Sequence, residues 1–203
     1  MTTSWLILAS ASPRRRALLA SVGLVPVVCP ANVDETRLEG ESPVALAERL
    51  AHAKASAEMV AHGLLDEVGW ALGADTVVHR AGTVFEKPVD RVDAARILAE
   101  LSGQWHEVTT GFCVQPVRAG TLGAATISHV TTRVRFRVLS PVEIEAYIET
   151  GEPLDKAGAY GIQGLGGALV AEVQGSYTNV VGLPLDAVLH ALDEAGAPVE
   201  VGQ

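Results

Sequence analysis

The sequence predicts an α/β fold with antiparallel character in its second half. Three observations predict it. Apolar runs of strand length alternate with segments of helical spacing. Serine-proline pairs mark helix starts at Ser12-Pro13, Ser42-Pro43 and Ser140-Pro141. Two long β segments, 105–115 and 125–138, are joined only by a short glycine-containing connection. With 203 residues, 48% of them hydrophobic and 19% charged, the chain can bury a sizeable core as one domain over 1–203. Aromatic residues are 4%, so that core is built mainly of Ala, Val and Leu.

Residues 5–9 (WLILA) read as a buried strand, and Ser12-Pro13 opens a helix reaching about Val22. Residues 25–29 (VPVVC) are a short strand. After Ser42-Pro43, Leu46, Leu50, Ala53, Ala57 and Val60 follow helical spacing on one face. Residues 70–79 (WALGADTVVH) read as a core strand, with Thr83–Phe85 as its hairpin partner. Asp90 caps a helix carrying Val92, Ile97, Leu98 and Leu101. In the segment 125–138, Val134, Phe136 and Val138 alternate with Arg133, Arg135 and Arg137, which predicts opposite faces of a strand. The connection at about 117–124 is the expected variable loop. Ser140-Pro141-Val142-Glu143 is a capping box opening a helix with Ile144 and Ile148. A glycine-rich stretch, 158–167, precedes a strand at 168–173, and Leu185–Ala195 is a last helix stopped by Gly196 and Pro198.

The charge balance narrows the function classes. Fifteen Lys and Arg against 24 Asp and Glu give a net charge of −9, unfavourable for non-specific binding to nucleic acid. A local basic pocket for one small anion remains compatible with it. Cys29 and Cys113 are far apart in apolar contexts, with no zinc spacing, and are expected to be buried thiols in a reducing compartment, the cytoplasm. The N-terminal apolar run lacks a basic flank and reads as a strand, not a signal peptide. No apolar stretch is long enough to span a bilayer.

Four segments carry chemistry. Ser10-Ala11-Ser12-Pro13-Arg14-Arg15-Arg16 places three cations in the first turn of a helix, where each costs roughly 0.3–1 kcal/mol against the dipole. A bound phosphate would reverse that cost; a solvated basic turn is the alternative. Twelve of the fifteen basic residues are Arg, and the three lysines are Lys54, Lys87 and Lys156. Lysines so sparse suit positions needing a compact point charge, as a triphosphate does, although three cases are also compatible with chance. Asp75, in Gly73-Ala74-Asp75-Thr76, interrupts an apolar strand and needs a partner, a metal or a catalytic task. A structural ion pair serves equally. Asp34-Glu35 offers a second carboxylate, although such pairs are commonly solvated. Finally, the glycines of 154–167 permit close approach of backbone N–H groups to a ligand, with Gln163 able to read a base edge; the alternative is a flexible loop.

Several mechanisms are absent from the sequence. No lysine precedes Ser or Thr, so there is no P-loop. There is no HExxH and no GxSxG elbow. The six histidines lack metal-ligand spacing. His106 reads as a satisfied turn or strand residue, and His52 and His62 as exposed residues of one helix.

Taken in order, LASASPRRRALL, Asp34-Glu35, the helix with Lys54, GADTVV, EKPVD, LSGQWHEVTTG, DKAGAYGIQG and NVVGLP resemble the Maf family of nucleoside triphosphate pyrophosphatases. The resemblance extends from Leu6 to about Pro184. It implies a mixed central twisted sheet flanked by helices, with two lobes and a cleft between them. It implies hydrolysis of a nucleoside triphosphate to monophosphate and pyrophosphate with a divalent cation, Mg²⁺ or Mn²⁺, by a homodimer. It puts Asp75 at the proton acceptor, Glu35 beside it, and Ser10, Arg14, Arg15, Lys54 and Lys87 around the phosphates. Glu35 and Asp75 are the implied metal ligands, and Asp75, Glu35 and Lys87 the implied catalytic set. Asp75 would take the water's proton directly or through the metal shell. Arg14, Thr76 and Gln163 resemble the discriminating residues of the branch that prefers dTTP and UTP. Glu86 is a further candidate for the metal shell, and Lys156 could bind substrate or pair with Asp155. A non-catalytic nucleotide- or protein-binding regulator of septum formation is the alternative from another class.

Overall fold

The computed structural model describes residues 3–61, 69–118 and 121–199. In chain order the elements are β1 (Thr3–Leu8), α1 (Pro13–Ser21), β2 (Pro26–Val28), α2 (Pro43–Ala61), β3 (Gly69–Arg80), β4 (Thr83–Phe85), α3 (Arg91–Leu101) and β5 (Trp105–Arg118). They continue with β6 (Thr121–Leu122), β7 (Thr126–Phe136), α4 (Pro141–Glu149), β8 (Val170–Gln174), α5 (Tyr177–Val181) and α6 (Leu185–Glu194). Three short 3₁₀ turns, Glu152–Asp155, Ala157–Ala159 and Leu165–Leu169, link α4 to β8.

One mixed sheet runs β2-β1-β3-β5-β7-β8, with β4 added to β3 and β6 to β5. The first three strands are parallel, and from β3 onward every pairing is antiparallel. The predicted change of character along the chain is therefore present. Local signals set the ends. Ser12 caps α1, Asp90 caps α3, and Ser140 with Glu143 forms the reciprocal capping box of α4.

Strands β3 and β5 are long enough to serve two cores. One joins Leu6, Leu8, Leu19, Leu72, Phe112, Leu183, Val188 and Leu192, from β1, α1, β3, β5, α6 and the connection before α6. The other joins Val78, Ile97, Leu98, Val108, Phe136, Ile148 and Tyr160, at the opposite end of the same strands. The two clusters are the two lobes, and residues 75–77 of β3 lie between them. A third layer is α2, laid across the sheet so closely that it leaves no space for a side chain at Gly73 or Gly111. A Cβ at Gly73 would stand 2.1 Å from the Ala51 carbonyl oxygen, and one at Gly111 2.4 Å from that of Ala47. The buried face of α2 is accordingly Ala47, Ala51 and Ala55 with Leu46, Leu50 and Lys54.

Of the face expected from Leu46, Leu50, Ala53, Ala57 and Val60, Leu46 and Leu50 are buried. Ala53 and Ala57 are only partly buried, and the Val60 side chain lies outside the described residues. Small residues, not the larger apolar ones, set the contact. Val138 is also corrected. β7 ends at Phe136 after a register shift, and Val138 is 80% exposed rather than in line with Val134 and Phe136. Arg133 and Arg135 do share a face, stacked over Trp105 at 4.7 and 5.6 Å.

The expected loop at 117–124 is largely a hairpin, since Val117 and Arg118 pair with Leu122 and Thr121. Cys113 is buried, its thiol pushed up to about 12 by burial, but Cys29 is only half-buried. His52 is exposed, and His62 lies outside the described residues. His106 is half satisfied. Nε2 bonds the Tyr160 hydroxyl at 2.9 Å, while Nδ1 has no partner among the described residues, and burial pushes the ring down to about 4 so that it stays neutral. Among the described residues, no helix is long and apolar enough to cross a membrane.

Candidate active site

The cleft between the lobes has a volume of about 880 Å³. Its walls bring together Ser10, Arg14, Arg15, Glu35, Lys54, Asp75, Thr76, Lys87 and Gln163, whereas Arg16 and Asp34 do not line it. Glu86, Asp155 and Lys156 line it as well.

One end of the cleft is built at the start of α1. The Ser12 hydroxyl accepts from Arg15 N, and Ser10 Oγ accepts from Ser12 N at 3.2 Å. Arg15 is buried and its guanidinium spans three elements. Nε donates to the Gly182 carbonyl at 2.8 Å, and the two terminal nitrogens donate to Ser10 Oγ at 3.0 Å and Thr76 Oγ1 at 3.1 Å. Three of five N–H groups are thus committed to the protein and two remain. Burial pushes this guanidinium below its ordinary value, against the opposing charge of Asp75.

Thr76 is committed too. Thr110 Oγ1 donates to the Asn179 carbonyl at 3.0 Å, so at 2.9 Å it must accept the Thr76 proton. Asn179 is fully buried, accepting from Thr110 N and donating to the Val108 carbonyl and Thr132 Oγ1. Asn179 and Thr110 thus brace the floor of the cleft. The sequence carried a signal for Asn179, an amide in the apolar run Asn179-Val180-Val181, but no role had been read from it.

Asp75 sits in the middle of β3, and Lys54 reaches it from α2. Lys54 Nζ lies 2.7 Å from Asp75 Oδ1 and 2.6 Å from Glu35 Oε1. The lysine expected at the phosphates therefore bridges both carboxylates expected to hold a metal. Burial raises the Glu35 carboxyl, but the Lys54 hydrogen bond and the charges of Lys54, Lys87 and Arg15 outweigh it and hold the group below the usual range. Glu35 lies on the irregular segment between β2 and α2. Arg49 of α2 pins that segment, donating twice to Glu41 at 2.6 and 2.9 Å and once to the Thr36 carbonyl at 3.0 Å. Arg49 and Glu41 were not singled out from the sequence, where an Arg eight residues from a Glu carries no recognisable spacing.

Elsewhere in the lining, Lys87 and Glu86 are exposed and Gln163 stands on an exposed turn. No hydrogen bond holds the Gln163 side chain among the described residues, so its amide is open to a ligand. Lys156 pairs with Asp155 at 2.6 Å and donates to the Glu152 carbonyl at 2.7 Å. The glycine-rich stretch does not display its amides to the cleft in the way expected. Leu165 N and Gly166 N both bond the Glu152 carboxylate.

Chemically, the cleft can take a polyanion beside a pair of carboxylates. Among the described residues no group of three or more His, Cys, Asp or Glu side chains could hold a metal by itself. Two carboxylates, with one oxygen of each in contact with Lys54, nevertheless suit a hard cation whose remaining ligands come from phosphates and water.

The sequence model of the Maf-like protein family matches residues 5–195. A dTTP/UTP pyrophosphatase of Moorella thermoacetica is 52% identical over 196 residues, covering 97% of each chain. One from Geobacter sulfurreducens is 49% identical, covering 95% of this chain and 97% of the relative. One from Vibrio cholerae is 48% identical, covering 94% and 99%. A solved nucleoside-triphosphatase from Mycobacterium abscessus is 16% identical with a TM-score of 0.39, covering 64% of this chain and 72% of that one, too distant to bear on the site. The match of the family over nearly the whole chain and identities near one half, at full length, lead to one conclusion: this chain belongs to the Maf family.

Proposed function

We propose that this protein is a nucleoside triphosphate pyrophosphatase, a single domain over 1–203 that cleaves dTTP and UTP to the monophosphate and pyrophosphate. The observation that carries the reading is the Asp75–Lys54–Glu35 bridge in a cleft that also holds Arg14, Arg15 and Lys87. Full-length relatives that bear the name dTTP/UTP pyrophosphatase support the same reading, and a non-catalytic regulator is not favoured by them.

In the proposed reaction, a water oxygen bonds to the α-phosphorus as the bond from that phosphorus to the α–β bridging oxygen breaks. Pyrophosphate leaves with the bond's electrons, and Asp75 takes the water's proton. Arg14, Arg15 and Lys87 stabilise charge on the phosphates, and the Ser10 hydroxyl, already accepting from Arg15, has its proton to offer a phosphate oxygen. Glu35 and Asp75 are the residues that would hold a divalent cation, Mg²⁺ or Mn²⁺, which supplies Lewis-acid charge neutralisation when bound. Lys54, which bridges the two carboxylates, would add its charge to those around the phosphates. Arg14, Thr76 and Gln163 select the base. A homodimer in the cytoplasm completes the reading, on the family resemblance; light scattering on the purified chain tests the dimer.

The function is tested by resolving products from a panel of dTTP, UTP, CTP, GTP and 7-methyl-GTP with Mg²⁺. Monophosphate plus pyrophosphate, fastest from dTTP or UTP, is the expected result. Diphosphate plus phosphate, or no turnover of any nucleotide, refutes it. Two variants sharpen it. Gln163→Glu exchanges the amide donors for acceptors and is expected to change the order of preferred bases by about tenfold; an unchanged profile removes Gln163 from base selection. Lys54→Met removes the ammonium competing for both carboxylates and is expected to raise the affinity of the nucleotide-free protein for Mn²⁺ tenfold or more. Titration by electron paramagnetic resonance reads it, and unaltered affinity excludes this pair as the cation's holders.

A further inference from the structure

The glycine-rich segment that carries Gln163 is wrapped around a carboxylate of its own chain. Glu152, in the first turn after α4, does not line the cleft. Its Oε1 accepts from the Tyr147 hydroxyl at 2.8 Å and from Gly166 N at 3.0 Å, and its Oε2 accepts from Leu165 N at 2.9 Å. Tyr147 in turn accepts from Gly161 N at 3.2 Å. The glycines fit this anchor. A Cβ at Gly164 would stand 2.3 Å from Glu152 Oε2, one at Gly166 2.5 Å from the Tyr147 hydroxyl, and one at Gly161 2.8 Å from the Lys156 side chain.

The density of glycine that reads as a cradle for an external anion is therefore filled by an internal one. Burial raises the Glu152 carboxyl, but the amides of Gly166 and Leu165, the Tyr147 hydroxyl and the Lys156 charge together hold it below the usual range. Gln163 lies between Gly161, which Tyr147 holds, and Leu165, which Glu152 holds. Its own side chain makes no hydrogen bond among the described residues, so its place at the cleft wall is set from behind.

We propose that Glu152 is a positioning residue for nucleobase selection, acting through Gln163 by fixing the turn at 161–166. This rests on the reading of Gln163 as a base-selecting residue. Glu152→Gln is the informative change. An amide presents one acceptor and one donor, so it leaves Leu165 N or Gly166 N facing an N–H group. The selectivity ratio, kcat/KM for dTTP over that for GTP, is expected to fall about tenfold, the worth of one hydrogen bond to a charged group. Inhibition by inorganic tripolyphosphate, which has no base, is expected to stay unchanged because the phosphate-binding end is untouched.

Hydrogen exchange of the Leu165 and Gly166 amides is expected to quicken in the variant, and this arm needs no turnover. Tyr147→Phe removes one donor to Glu152 without altering charge and is expected to move both readouts the same way to a smaller extent, should Glu152→Gln fold poorly. Faster exchange with an unchanged ratio, or unchanged exchange, overturns the inference. An equal loss of tripolyphosphate inhibition overturns it as well, since the damage is then general. If Gln163→Glu leaves the base preference intact, the reading of Gln163 fails, and the role of Glu152 in selection falls with it. If Gln163→Glu changes preference and Glu152→Gln does not, only the role of Glu152 fails.

Discussion

Asp75→Asn is expected to lower kcat by about a thousandfold, within the range that removing a positioned general base costs, or roughly 4 kcal/mol of barrier. The substitution keeps size and shape, removes the charge and basicity, and puts an amide N–H donor in place of one oxygen. Lys54 still has Glu35 as a partner at 2.6 Å, so the buried ammonium is not left alone and the fold is expected to persist. The affinity for nucleotide is expected to change far less than kcat, because Arg14, Arg15 and Lys87 are untouched. Single-turnover hydrolysis of dTTP, with circular dichroism as a check on folding, measures both. Turnover within threefold of the parent sinks the proton-acceptor role of Asp75.

Gly73→Ala is expected to destabilise the protein by about 3 kcal/mol, the upper part of the range for overpacking. The new methyl would lie 2.1 Å from the Ala51 carbonyl oxygen and 2.7 Å from Ala55 N, so backbone must move against backbone and no flexible side chain can yield. For a chain of this size the expected fall in Tm is about 6–12 °C. The consequence reaches the chemistry, because α2 is the element that delivers Lys54. Lifting α2 from β3 separates Nζ from Asp75 Oδ1, and activity is expected to fall even at temperatures where the variant is folded. Thermal denaturation and kcat, measured together, check the link. An unchanged Tm refutes the close packing of α2 on β3, and a lowered Tm with full activity at low temperature uncouples that packing from the site.

Much of this molecule is legible in its sequence where the physics is local. Ser12, Asp90 and the Ser140–Glu143 box announce their helices because a cap acts within four residues. Asp75 stands out because a carboxylate in an apolar strand requires an explanation. What escapes the sequence is set by contacts between distant segments. Nothing in the spacing from Glu35 to Lys54 to Asp75 says that the ammonium lies between the two carboxylates. The glycines at 161, 164 and 166 have the same composition whether they surround a ligand or Glu152. Gly73 and Gly111 select Ala47, Ala51 and Ala55 as the inward face of α2, and helical periodicity alone chose a face one step round. The departure of Val138 from its strand follows a register shift after Arg135 that alternation cannot report.

Arg15 reaches residues 10, 76 and 182, the last of them 167 positions away along the chain. Such long closures come late in folding, because the chain must lose a large loop's freedom before the bond can form. A nascent chain still short of Gly182 has no carbonyl for Nε, and one short of Asn179 also lacks the brace beneath Thr76 and Thr110. The chain must extend past Gly182 before the cleft can assemble, so a chain terminated short of that point is expected to be inactive. Chains truncated before and after Gly182 differ accordingly in an assay of hydrolysis, and equal activity in the two would show that the last segment does not complete the site.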